Sequence, residues 1–232
     1  MAKRSRRPNI AIRFLWKLTK AVLLLVISYL ILCLLALTAY RYVTPPITGV
    51  QLQRMVEARV AGESYQRQYH PIASDAISQH LPRAVVAAED GRFYEHRGVD
   101  WQAVHEARTE FQQGARMRGA STITQQLVKN LFFTTHRLHI RKAFEIPLAY
   151  GAEVILPKDR ILFLYLTVVE WGPAVFGAEA ASRHHFGISA SELTRRQSAG
   201  LAACLPAPRT RTPQVMTRYT GIIERRMEQH GW

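Results

Sequence analysis

Residues 21–40 read AVLLLVISYLILCLLALTAY, twenty positions without a charge. A helix of that length, rising about 1.5 Å per residue, covers the ~30 Å hydrocarbon core of a bilayer. Ser28, Tyr29, Thr38 and Tyr40 gather into no polar stripe, so the segment lacks the two-faced pattern of a soluble core helix and predicts a single transmembrane span. From about Val50 apolar residues recur instead every three or four positions, and few alternating runs suggest strands. That spacing predicts helices near 47–60, 75–89, 101–113, 122–133, 139–155, 158–168, 173–185, 190–204 and 214–229. Pro82, Pro157 and Pro173 sit where helix starts are expected, and Leu205-Pro206-Ala207-Pro208 closes the helix holding Cys204.

Charge refines this picture. The 232 residues carry 31 Lys and Arg against 17 Asp and Glu, and residues 1–56 hold nine of the basic residues with no acidic one. The basicity therefore belongs largely to the N-terminus, which weakens the inference from a high pI to nucleic acid. Seven of those cations precede the apolar run, so the positive-inside rule keeps the N-terminus cytoplasmic and sends the rest of the chain outward. The expected organisation is a basic cytoplasmic segment 1–20, a membrane helix 21–40, a short stiff stalk 41–49 around Pro45-Pro46, and one outer domain 50–232. A cleaved signal peptide fits less well, because its apolar region spans only about 7–15 residues and no clear A-x-A site follows. Cys33 in the span and Cys204 far away predict no intramolecular disulfide.

Three segments carry chemistry. Glu89 and Asp90 emerge from the apolar helix end AVVAA, where partial desolvation makes a carboxylate a usable general base. In residues 119–130, GASTITQQLVKN, Thr122 and Gln125 match a capping box. Gln125 with Lys129, and Gln126 with Asn130, lie four apart on adjacent helix faces, an arrangement suited to a wall that recognises phosphate and sugar. Arg137, Arg141, Lys142 and Glu145 follow. An intrahelical pair explains Arg141 with Glu145, but not the density of cations from Lys129 to Lys142, which suits a diphosphate.

Together these segments resemble the peptidoglycan glycosyltransferases of family 51, in their short monofunctional, singly anchored biosynthetic form. The pattern E-D-x-x-F-x-x-H-x-G-x-D is met at Glu89, Asp90, Phe93, His96, Gly98 and Asp100, and G-x-S-T-I-T-Q-Q-x-x-K-N throughout 119–130. R-K-x-x-E is met at Arg141, Lys142 and Glu145, and K-x-x-I-L-E-x-Y-L-N at Lys158, Ile161, Leu162, Tyr165 and Leu166. There Phe163 replaces Glu and Thr167 replaces Asn. A fifth motif, G-A-E-A-A-A-R-H-Y-F, spans 177–186 with Ser182 for Ala and His185 for Tyr.

The resemblance implies an all-α, lysozyme-like glycosyltransferase domain that polymerises lipid II into glycan strands with inversion and release of undecaprenyl diphosphate. It places the chain in the bacterial inner membrane with the catalytic domain periplasmic. Glu89 and Glu145 are the implied catalytic carboxylates. Asp90, Phe93, His96, Ser121, Thr122, Gln125, Gln126, Lys129, Asn130, Arg137, Arg141 and Lys142 are the implied substrate-binding residues. No cofactor is required, although a divalent cation, Mg or Mn, is compatible with the chemistry, and no metal-ligand spacing is present. The expected partners are lipid II, the growing strand, the membrane and other cell-wall synthesis proteins; nucleic acid is not among them. Two alternatives stay open: a lysozyme-like glycan-cleaving enzyme, which also uses a lone Glu but needs no cation cluster, and a catalytically silent cell-wall scaffold. No S-x-x-K occurs, so peptide cross-linking is not predicted. Gln112-Gln113-Gly114 with Arg116 and Arg118 suggests a loop over 111–119 that moves across the cleft.

Overall fold

A computed structural model describes residues 10–115, 119–136 and 139–232, leaving aside the side chains of residues 10–12 and 139. Arg137, and the Arg116 and Arg118 of the expected loop, fall outside the described residues. Helix α1 (Ile10–Tyr40) is longer than the uncharged run, because the chain stays helical through Arg13, Lys17 and Lys20. Within it, Arg13–Tyr40 is long and apolar enough to cross a membrane. Leu24, Leu25, Leu32 and Leu35 are exposed, whereas Cys33 and Leu37 are buried and Leu30, Leu34 and Tyr40 are partly so. This three- and four-residue stripe lies on α6 (His139–Ile155). Tyr29 donates to the Phe132 carbonyl at 2.5 Å. At the crossing, a Cβ on Gly151 would come within 2.6 Å of Leu34 Cδ2, so the leucine side chain packs directly on the glycine.

The connector after α1 is tied to the domain. Arg41 donates to Ile155 O at 3.1 Å, Arg160 to Tyr40 O at 2.8 Å and Val43 O at 2.7 Å, and the Tyr69 hydroxyl to Pro45 O at 2.6 Å. Thr48 caps α2 (Gly49–Ala61) by accepting from Gln51 N. From α2, the Arg54 guanidinium forks onto the buried Glu170 carboxylate, its closest approach 2.9 Å, which fastens this helix to the small sheet.

The centre of the domain is α7 (Lys158–Val168), in which every residue from Ile161 to Val168 is buried. Around it stand α5 (Ile123–Phe132), α6 and α3 (His80–Glu89); α9 (Arg195–Cys204) and α10 (Thr217–Gln229) pack on the far side of α3. The helices α4 (Trp101–Gln112) and α8 (Ala178–Phe186) complete the set. A three-stranded sheet of order β1-β3-β2 joins β1 (Gln68–Tyr69) in parallel and β2 (Glu170–Gly172) antiparallel to β3 (Val175–Phe176). Cys33 and Cys204 are both free and buried, on α1 and α9.

The predominantly helical fold is as expected, with three local corrections. The helix expected over 173–185 starts at Ala178, because 170–176 form a hairpin and Pro173 opens its turn rather than a helix, with Ala174 at φ 61°. The helix expected over 75–89 is divided into a 3-10 turn, Ser74–Ala76, and α3 from His80. Likewise 190–204 divides at Thr194, which caps α9. Of the two motif departures, Phe163 sits in the core with the Arg160 guanidinium 5.1 Å over its ring, and the Thr167 hydroxyl donates to Phe163 O at 2.8 Å. Both are absorbed into local helix packing.

Candidate active site

Helix α3 buries Leu81, Ala84, Val85, Val86 and Ala87 and ends at Glu89, so the two following carboxylates leave its rim in different directions. Glu89 turns toward α5, where Gln126 Nε2 donates to its Oε2 at 2.7 Å. Asp90, 7% exposed, turns inward. It accepts the Ile123 N–H at 2.9 Å and pairs with His96 Nε2 at 2.9 Å, so it holds the start of α5 in place. Phe93 has no exposed surface, and Lys158 lies 4.4 Å over its ring. Asp100 caps α4 by accepting from Ala103 N at 2.8 Å and pairs with Arg92 at 2.9 Å. Between them Gly98 adopts φ 87° against α6, where a Cβ would meet Ala149 O at 3.0 Å.

Helix α5 begins with a full capping box: Thr122 Oγ1 accepts from Gln125 N, and Gln125 Oε1 accepts from Thr122 N. The Thr122 hydroxyl also donates to Gly98 O at 2.6 Å, joining the two motifs. Gln125 and Asn130 are buried, and the Asn130 amide donates to Gln126 O. The two faces read from the sequence are thus regrouped: Gln126 and Lys129, three apart, look toward Glu89, while Gln125 and Asn130 build the helix. Behind them the Tyr165 hydroxyl of α7 donates to Gln126 Oε1 at 2.9 Å. Nothing in the motif spacing distinguishes that tyrosine from a core residue.

Glu145 is 1% exposed and faces two cations, Arg141 Nε at 2.5 Å and Lys142 Nζ at 2.9 Å. Arg141 donates further to the carbonyls of Thr134 and His136, and Lys142 to Ser121 Oγ at 3.0 Å. The Lys129 ammonium has no hydrogen bond or ion pair with any described residue, although its carbonyl accepts from Phe133 N. Burial holds its ammonium below the ordinary lysine value; Arg141 and Lys142 push the same way, and Glu145 and Glu89 oppose them. Burial likewise pushes the Glu89 carboxyl above its ordinary value, against the Gln126 hydrogen bond and the charge of Lys129, with Asp90 adding to the rise and Arg211 opposing it.

A cleft of about 570 Å³ opens beside Glu89. One wall comes from the motifs, through Glu89, Gly91, Ser121 and Gln126; the other comes from Pro206 and from Tyr219, Arg226 and His230 near the C-terminus. This second wall escaped sequence reasoning, because α10 shows only an ordinary amphipathic pattern. Arg226 Nη1 donates to Ala87 O at 3.4 Å across the join. Among the described residues no group of three or more His, Cys, Asp or Glu could hold a metal ion, and Asp90 is already committed to His96 and Ile123.

A desolvated carboxylate on the cleft wall, with a buried lysine near it and a braced cation pair next to that lysine, coincides with a family match: the model described as Transglycosylase covers residues 54–229. The chain belongs to the transglycosylase family. It is similar to proteins named biosynthetic peptidoglycan transglycosylase from Marinomonas sp. (strain MWYL1), 43% identical over 207 residues and 88% of each chain. The same name is borne by a Bordetella pertussis (strain Tohama I) protein, 43% identical over 216 residues and 89% of each chain. A third, from Pseudomonas fluorescens (strain Pf0-1), is 42% identical over 224 residues, 94% of this chain and 91% of that one. The expected resemblance, the lysozyme-like helical fold and the reading as a glycosyltransferase enzyme therefore hold.

Proposed function

We propose that this transglycosylase polymerises lipid II into peptidoglycan strands, taking the 4-hydroxyl of an acceptor N-acetylglucosamine to the anomeric carbon of the growing strand and expelling undecaprenyl diphosphate with inversion. Glu89 acts as general base. Its oxygen takes the hydroxyl proton as the new carbon–oxygen bond forms, and the bond to the diphosphate breaks with its electron pair on the departing phosphate. Negative charge grows on that leaving group, and Lys129, its ammonium unpaired among the described residues, is the cation placed to meet it, with Arg141 and Lys142 beside it. Arg137, outside the described residues, belongs to the same cation group on sequence grounds. Glu145 holds Arg141 and Lys142 at the cleft edge. Phe93, His96, Gln125 and Asn130 serve the site by positioning its walls, Asp90 and Thr122 both position and line it, and Ser121 and Gln126 line it. A divalent ion would assist the diphosphate from outside; no step here runs through one.

The membrane placement belongs to the same reading. A polyprenyl substrate stays in the bilayer, so α1 spans the inner membrane with its basic end cytoplasmic and holds the domain on the periplasmic face. The outer unit then begins near residue 50, after the connector 41–49.

The observation that carries this reading is the approach of Glu89 to Gln126 on the same face of α5 as the unpaired Lys129. A glycan-cleaving enzyme has no diphosphate to accommodate and no use for that lysine. The test is incubation of the detergent-solubilised chain with labelled lipid II and, separately, with preformed glycan strands. Lengthening products support the proposal; shortened strands, or no change in either, would replace it with the cleaving or the silent alternative.

A further inference from the structure

Glu89 is surrounded by influences of both signs. Lys129 faces it from α5 and Arg211 from the segment after α9; Asp90 adjoins it and is itself paired with His96. From α10, Arg226 reaches Ala87 O, and His230 Nε2 lies 3.7 Å from where a Cβ on Gly91 would sit. Among the described residues the one direct hydrogen bond to its carboxylate comes from Gln126, whose amide has two unlike ends. Only the NH2 end suits a carboxylate, and nothing within Gln126 selects it.

The selection comes from α7. Tyr165 is fully buried, and among the described residues its hydroxyl has one partner, Gln126 Oε1 at 2.9 Å. Burial, with the charges of Glu89 and Asp90, pushes the phenol well above its ordinary pKa, so it remains a donor throughout the working pH range. A neutral phenol can donate or accept; donating to Oε1, as it does here, it takes the amide oxygen and directs the NH2 to Glu89 Oε2. We propose that Tyr165 is a positioning residue for the transfer reaction: by fixing the Gln126 amide it holds Oε2 of Glu89 and leaves Oε1 free to receive the acceptor's proton. This deepens, and rests on, the reading of Glu89 as the base. A carboxylate accepts a hydrogen bond more strongly than a neutral acid, so the relay favours the ionised form against desolvation.

Tyr165→Phe removes one oxygen and keeps the ring in the core, and none of the charged groups facing Glu89 changes. The first measurement follows the Glu89 carboxyl directly, by carbon-13 NMR of the detergent-solubilised full chain labelled at the glutamate side-chain carboxyl, with Glu89→Gln identifying the signal. Its titration midpoint should move upward in Tyr165→Phe. In lipid II polymerisation, kcat on the acid limb of the pH profile should fall about tenfold with KM within twofold. In a Gln126→Ala background the same Tyr165→Phe change should move neither the midpoint nor the limb, because the hydroxyl acts through that amide. An unmoved midpoint, a pH profile of unaltered shape, or an equal effect in both backgrounds overturns the relay. Failure of the wild-type chain to lengthen lipid II would instead remove the reaction, and the NMR titration still decides the relay. Should Tyr165→Phe fold poorly, Gln126→Met removes both ends of the amide without adding a charge, and an unmoved Glu89 midpoint there overturns the relay.

Discussion

Replacing Glu145 by Gln separates a carboxylate that braces cations from one that handles substrate. The side chain is 1% exposed and lies between Arg141 Nε at 2.5 Å and Lys142 Nζ at 2.9 Å, whose own side chains are 15% and 44% exposed. Removing one member of a buried ion pair costs about 3–5 kcal/mol, because the remaining charge stays uncompensated. The share owed to Lys142 is smaller, about 0–1 kcal/mol, since water screens a side chain exposed to that extent. Arg141 keeps the Thr134 and His136 carbonyls as acceptors, which places its share toward the lower end. Together these give a loss of about 3–4 kcal/mol, or roughly 6–16 °C in melting temperature for a domain of this size. Thermal unfolding in detergent, followed by intrinsic fluorescence, measures it. The deficit should persist in high salt, unlike that of a surface pair, and should shrink in Glu145→Gln/Arg141→Gln, where both buried charges are gone. A single variant within about 1 °C of wild type, or a deficit undiminished in the double variant, refutes the bracing role.

Other outcomes follow from the same geometry. Glu89→Gln should abolish polymer formation without loss of stability at neutral pH. The Glu89 pKa is raised in the folded state, so its protonated form stabilises the fold at low pH, and that contribution is lost as pH rises through the raised value. The unfolding free energy of Glu89→Gln should therefore exceed that of wild type at neutral pH and converge with it on acidification, as urea titrations at several pH values would reveal. Lys129→Met keeps the aliphatic stem and removes the charge; kcat should drop about 10²–10³-fold. Its melting temperature should be equal or higher, because burial disfavours the ammonium; a clear fall would mean that the lysine is paired structurally. Phe163→Glu restores the family's residue beside Arg160. It exchanges a buried ring, worth about 1.5–3 kcal/mol, for an ion pair, so calorimetry should show lower stability, and an unaltered rate would make the position irrelevant to turnover.

Much of this site was legible in the chain because its parts are local. The capping box at Thr122 and Gln125 needs only a spacing of three, and Glu89 follows directly on an apolar helix. Which of several polar neighbours faces the cleft was not legible. Helical spacing alone allows Gln125 and Lys129 to share a surface, and only the demand of the start of α5 for capping groups turns Gln125 inward. The hairpin at 170–176 was missed because Trp171, Val175 and Phe176 are all buried, so no alternation marks them as strands. Helix α7 shows no polar face for the same reason, which hid Tyr165 among core residues. The C-terminal wall depends on contacts between residues more than a hundred positions apart, such as Arg226 with Ala87, which no window of sequence displays.

Tyr29 on Phe132 and Arg160 on the end of α1, with the α1 stripe on α6, join the apolar helix to the domain that carries the cleft at several points. On the proposed membrane placement, these contacts set the height of Glu89 above the lipid headgroups, in place of chance excursions on a tether. On the proposed reading, a variant that loosens these contacts would let the cleft drift from its lipid-linked substrate even with every reactive group intact.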